Sequence, residues 1–122
     1  MIEKVKEMNI VQILDEYYLK ISVFILLGII VLSLYPLESL PQFPGTDKTH
    51  HFIAYSTLAF PIAFVRPKFW FVYIMFFLFC SGLIELIQPY VNRYGEWLDM
   101  LANSLGLLVG IIIGITTKRF AS

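Results

Sequence analysis

The sequence predicts an all-α fold, an integral membrane four-helix bundle preceded by an N-terminal amphipathic helix. Three observations carry this expectation. Four long apolar runs divide a chain of 122 residues, more than a soluble core of that size needs. Only 15% of the residues are charged and 58% are hydrophobic, whereas soluble domains carry about 25% charged residues. Proline, glycine and polar residues separate the runs, around 36–50, 66–68 and 89–97. The chain is too short for two ordinary domains. Its expected division is an amphipathic helix over 1–18 and a four-span membrane domain over 19–122.

Residues 1–18 place Ile2, Val5, Met8, Val11, Leu14 and Tyr18 at three- and four-residue steps. Glu3, Lys4, Lys6, Glu7, Asp15 and Glu16 fall between them. That pattern fits a helix lying in the membrane surface, and equally a solvated lead-in or a partner-binding arm. The mixed charges, with no small-residue cleavage site after the apolar run, do not read as a signal peptide.

The first span runs from Leu19 to Tyr35, interrupted only by Lys20 and Ser22, and Pro36 ends it. The second opens at Thr46-Asp47-Lys48-Thr49-His50-His51-Phe52, with Thr46 or Asp47 as N-cap. Its apolar part, Phe52 to Val65, is short and holds Pro61. It crosses a bilayer only if the polar first turn sits in the interface or the bilayer thins. Pro61 frees the carbonyl of Thr57, a kink that hydroxyls and neighbouring helices can satisfy in a membrane. Arg66-Pro67-Lys68 forms a tight basic hairpin. The aromatic-rich third span, Phe69 to Gln88, stops at Pro89, and the fourth runs from about Leu98 to Thr117.

Lysine and arginine counts set the orientation. Lys4, Lys6, Lys20, Arg66, Lys68, Lys118 and Arg119 fall on one side of a four-span chain; Lys48 and Arg93 fall on the other. The expected location is therefore the cytoplasmic (inner) membrane, with both termini cytoplasmic and the loops at 36–50 and 89–97 facing out.

Carboxylates inside apolar segments are costly, about 2.5–3.5 kcal/mol at a bilayer centre, and mark functional or pairing sites. Glu85 and Gln88 share a helix face, as do Asp47, His51 and Tyr55. Asp99, Asn103, Gly106 and Gly110 form another stripe. With four alternating spans, Asp47, Lys48, His51, Tyr55, Glu85, Gln88, Arg93, Asp99 and Asn103 converge near the outer headgroups. These nine are the candidate ligand-binding residues. Ala102, Gly106, Gly110 and Gly114 recur at four-residue spacing. Packing against another helix is the favoured role for Gly106, Gly110 and Gly114. The single cysteine, Cys80, lies in an apolar run and reads as packing.

Asp47-Lys48-x-x-His51-Phe52-x-Ala54-Tyr55-x-x-Leu58, followed by Glu85-x-x-Gln88, Arg93 and Asp99-x-x-Ala102-Asn103-x-x-Gly106-x-x-x-Gly110, resembles the VanZ-like family of bacterial membrane proteins. The resemblance covers about residues 20–117. It implies a small multi-span protein of the cell envelope with an outward polar site. The family takes its name from a protein conferring low-level resistance to teicoplanin, a glycopeptide antibiotic. The resemblance assigns no catalytic residues.

Three readings of the polar set stay open. In the first it binds a lipid headgroup or a lipid-linked or peptidoglycan precursor, with Lys48 and Arg93 on phosphate or carboxylate and Glu85, Gln88, Asp99 and Asn103 on sugar or amide groups. In the second it is an enzyme site, with His51 as general acid or base and the Glu85/Asp99 pair split in pKa. The absence of a G-x-S-x-G motif or a phosphate-binding glycine loop leans against enzyme activity. In the third it is a structural clasp joining helix ends. No cofactor or metal is expected, because the adjacent His50 and His51 point to different helix faces. A net charge of zero gives no basic face for nucleic acid. Membrane lipids are the expected partners, and an oligomer is compatible with the chain but not demanded by it.

Overall fold

The computed structural model describes residues 9–35, 47–91 and 97–121. These residues are 94% helical and form four helices. They are α1 (Ile10–Leu34), α2 (Asp47–Val65), α3 (Trp70–Ile87), extended by a 3-10 turn over Gln88–Val91, and α4 (Trp97–Ala121). The all-α expectation holds. Three segments, Ile10–Leu34, Trp70–Tyr90 and Leu98–Ala121, are long and apolar enough to cross a membrane. That is the make-up of a multi-pass membrane protein.

The first helix departs from the sequence reading. An amphipathic segment ending at 18 and a span starting at 19 were expected; α1 runs unbroken from Ile10 through that boundary to Leu34. Nothing around Tyr17–Lys20 can stop a helix: no glycine or proline occurs there, and the change from mixed to apolar composition does not interrupt backbone hydrogen bonding. The start is a capping box. Asn9 Oδ1 accepts from the Gln12 backbone N–H at 2.9 Å, and the Asn9 N–H donates back to Gln12 Oε1 at 3.0 Å. Residues 1–8 of the expected amphipathic stretch lie outside the described residues.

Side-chain contacts fix the helix directions. Gly106 lies against Phe52 and Tyr55, Gly110 against Ser56 and Ala59, and Gly114 against Phe60 and Ala63. Numbers rise together, so α2 and α4 run parallel, and theirs is the most extensive contact between helices. Asp15 of α1 meets Lys118 of α4 at 3.6 Å, while Ser33 of α1 meets Gln88 after α3 at 3.1 Å. Hence α1 and α3 run together, opposite to α2 and α4. Although α2 and α3 are joined by a short hairpin, they touch little; α1 packs mainly on α2, and α3 mainly on α4.

The seam between α2 and α4 depends on glycine. A methyl group on Gly106 would lie 2.5 Å from the Phe52 carbonyl oxygen and 3.1 Å from Tyr55 Cβ. At Gly114 it would lie 2.8 Å from Ala63 Cβ. With no side chain in the way, the backbones approach closely enough for Ser56 Oγ to reach the Gly106 carbonyl at 2.9 Å, while also lying 2.9 Å from Phe52 O within its own helix. Its one hydrogen is shared between the two acceptors.

Burial is inverted relative to a soluble protein. Ser22, Ser33, Ser81, Gln88, Asp99 and Asn103 are buried, whereas Phe24, Leu86, Phe79 and Val31 are 60–78% exposed. Exposed apolar surface this continuous matches a hydrocarbon environment. The interior combines Leu26 and Ile29 of α1, Tyr55, Leu58, Ala59 and Ile62 of α2, Ile74, Phe77 and Ile84 of α3, and Leu107 of α4. Helix α2 is the most enclosed. Its residues Leu58–Ala59 and Pro61–Phe64 are buried, while Thr49, Ile53 and Thr57 are exposed. Pro61 is buried within it, and Ser22 Oγ of α1 donates at 3.3 Å to the carbonyl of Leu58, next to the Thr57 carbonyl that proline leaves without its helical donor.

Candidate functional site

The buried polar groups are not scattered. On α4, Asp99 and Asn103 are one turn apart and both buried, at 6% and 0% exposed. Periodicity dictates this: the same stripe continues into Gly106 and Gly110, which α2 covers. On α3, Ser81, Glu85 and Gln88 recur at steps of four and three along the inner face. Ser81 is fully buried, Gln88 is 1% exposed and Glu85 is half-buried. On α2, His51 and Tyr55 lie one turn apart, half-buried and buried respectively.

Hydrogen bonds join these helices in one chain. His51 Nδ1 lies 2.9 Å from Asn103 Oδ1. Asn103 Nδ2 donates to Ser81 Oγ at 2.7 Å. Ser81 Oγ in turn lies 3.2 Å from Met100 Sδ. The contact with Asn103 Oδ1 sets the histidine tautomer: Asn103 Oδ1 only accepts, so Nδ1 carries the hydrogen. One turn along α3 and α4 from the Ser81–Asn103 bond, toward the same end of the molecule, sit Glu85, half-buried, and Asp99, buried. Both are engaged in interactions of their own. Gln88 closes this end, its Nε2 donating to the Ser33 carbonyl of α1 at 3.1 Å.

Two buried polar atoms stand apart. The Tyr55 hydroxyl interacts with Ser81 and has Glu85 close by, but no hydrogen bond of full geometry satisfies it among the described residues. Ser81 Oγ accepts from Asn103 and lies against Met100 Sδ, which leaves it one further acceptor lone pair. Gln88 Oε1 is likewise buried without a hydrogen-bond partner among the described residues. A buried polar atom with no partner costs about 1–3 kcal/mol, so such atoms point to a donor or acceptor beyond the described residues.

Of the nine candidate ligand-binding residues, the structure gathers His51, Tyr55, Glu85, Gln88, Asp99 and Asn103 at one end. Asp47 and Lys48 open α2, and their side chains lie outside the described set, as does Arg93 altogether. Gly106, Gly110 and Gly114 line the seam directly below. Among the described residues no group of three or more histidine, cysteine, aspartate or glutamate side chains could hold a metal ion. The sequence reading did not single out Ser33, Ser81 or Met100 for the site. Serine and methionine in an apolar helix carry no signal of their own; the spacing Ser81–Glu85–Gln88 on one face was the available clue.

No protein-family model, no curated protein and no solved structure matches this chain.

Proposed function

We propose that this is a VanZ-like integral membrane protein of the bacterial cell envelope, whose enclosed polar site binds a lipid headgroup or a lipid-linked cell-wall precursor. The observation that carries the reading is the pair of buried oxygens, Tyr55 Oη and Gln88 Oε1, that lack a full hydrogen bond among the described residues, beside the carboxylates Glu85 and Asp99. By this reading, occupancy lowers susceptibility to teicoplanin-type glycopeptides by masking or diverting the precursor they bind.

The topology follows from helix direction. If α1 and α3 both cross the bilayer the same way, the chain must return between them, and α2 is the helix available. At 19 residues it is about 28 Å long, close to the roughly 30 Å hydrocarbon core. The four helices then form a four-span bundle. Seven lysines and arginines against two favour both termini in the cytoplasm of the inner membrane, which would open the site outward, at the depth where precursor headgroups lie. Asn103 sits six residues into α4, about 9 Å below the helix start.

A second reading is favoured by a specific observation. His51, Asn103, Ser81 and Met100 satisfy one another, as a clasp would. A covalent mechanism draws less support: His51 Nδ1 is committed to Asn103, and no nucleophile is aligned with it among the described residues.

The test uses purified protein and vesicles of phosphatidylethanolamine and phosphatidylglycerol, with and without lipid-linked wall precursor. Native mass spectrometry should find precursor retained by the wild type and lost from Glu85→Gln and Gln88→Leu variants that still fold. Retention of ordinary phospholipid alone, in wild type and variants alike, would remove the binding reading and leave the clasp. A cysteine placed in the loop at 89–97 should react with an impermeant reagent on intact cells; labelling only after lysis would reverse the orientation.

A further inference from the structure

The opposite end of the molecule carries a second arrangement, which the proposed outward site does not use. Every lysine side chain described lies in that half of the molecule and rests on an aromatic ring. Lys20 Nζ is 5.4 Å from the Tyr17 ring centroid, Lys68 Nζ is 5.4 Å from Phe69, and Lys118 Nζ is 5.0 Å from Phe64. The last pair joins α4 to the end of α2, two residues before Arg66. Lys118 is further tied to Asp15.

The hairpin between α2 and α3 differs from the rest of this end. Arg66 and Lys68 are both exposed, with no acidic partner among the described residues, and the aromatics beside them, Phe69 and Phe71, are 60% and 61% exposed. Arg66 also holds a left-handed backbone, φ 48°. Its N–H donates to the Ile62 carbonyl at 2.7 Å, the helix-ending position that glycine fills without strain. Here it presents a guanidinium two residues from an ammonium, above a ring of exposed aromatics that fits the hydrocarbon boundary. We propose that the Arg66–Lys68 hairpin binds the phosphate of an anionic phospholipid in the leaflet facing the chain termini, with Phe69 and Phe71 in the acyl region beneath it. An anionic leaflet attracts exposed basic groups, each by about fivefold, and a guanidinium can engage phosphate through two N–H groups. The inference does not depend on the outward site; it requires only that α1, α3 and α4 lie in a bilayer.

The two tryptophans make the test local. Trp70 adjoins the hairpin and Trp97 opens α4 at the other end. Trp97→Phe leaves Trp70 as sole reporter; Trp70→Phe leaves Trp97. Each protein is reconstituted in mixed vesicles, and fluorescence quenching by brominated phosphatidylglycerol is compared with quenching by brominated phosphatidylcholine. The expected result is an anionic preference of about five- to twenty-fold at Trp70 and none at Trp97. Arg66→Gln with Lys68→Gln should abolish it, Lys68→Arg should retain it, and millimolar inorganic phosphate should leave it intact. Equal quenching by the two lipids at Trp70, an equal preference at both tryptophans, persistence in the double variant, or loss to free phosphate would each overturn the proposal.

Discussion

His51 Nδ1 and Asn103 Oδ1 stand 2.9 Å apart, joining the first third of α2 to the same level of α4, immediately above the glycine seam that brings these two helices together. Gly106 is one turn below Asn103, and its missing side chain lets the Phe52 carbonyl come close. The polar bond and the close approach are therefore coupled: one requires the other. Replacing both partners should show this as a coupling energy. A double-mutant cycle over His51→Ala and Asn103→Ala, read by unfolding in mixed micelles, should give about 0.6–1.7 kcal/mol, the range for hydrogen bonds between membrane helices.

The glycines offer a matched comparison. Gly106→Ala places a methyl 2.5 Å from the backbone oxygen of Phe52, so α2 and α4 must separate. A loss of about 1–3 kcal/mol is expected from overpacking, and the His51–Asn103 bond should weaken with it. Gly28 on α1 has nothing within 4 Å of the added methyl. Gly28→Ala should leave stability unchanged or raise it by up to about 1 kcal/mol, since alanine is the better helix former. The same unfolding measurement distinguishes the two.

Arg66 combines strain with exposure. A non-glycine residue at φ 48° pays about 1–2 kcal/mol relative to right-handed backbone. Arg66→Gly should therefore stabilise the fold by about 1 kcal/mol while weakening the anionic-lipid preference at Trp70. A variant less stable than wild type would mean that the arginine side chain supports the fold itself.

The Asp15–Lys118 pair should matter little. At 3.6 Å, with side chains 49% and 31% exposed, it belongs to the class of surface ion pairs worth about 0–1 kcal/mol. Asp15→Asn should change the unfolding free energy by no more than about 0.5 kcal/mol, less in high salt.

Helix type and the inner faces were legible because they depend on local spacing. Asp99, Asn103, Gly106 and Gly110 share a face by their four- and three-residue steps, and all are buried on α4. The face that carries Ser81, Glu85 and Gln88 was readable for the same reason. What spacing could not supply was the partner. Nothing local to Gly110 says that Ser56 of a parallel helix lies across from it, or that Ser33, far back in α1, accepts from Gln88. One helix runs through the expected boundary at 18 because hydrophobicity changes there while no helix-breaking residue occurs. Whether α2 crosses a bilayer is also hidden from composition, since its polar first turn keeps it below the apolarity of the other three helices.

The most direct test of the site rests on Tyr55, 1% exposed, whose hydroxyl has no full hydrogen bond among the described residues. Tyr55→Phe removes that oxygen and keeps the ring. Unfolding temperature and retention of lipid-linked wall precursor should be measured on the same preparation. A ligand site predicts unchanged or higher stability together with precursor affinity lower by about three- to tenfold, the worth of one hydrogen bond. Lower stability with unchanged retention would contradict it and leave the polar layer as a clasp.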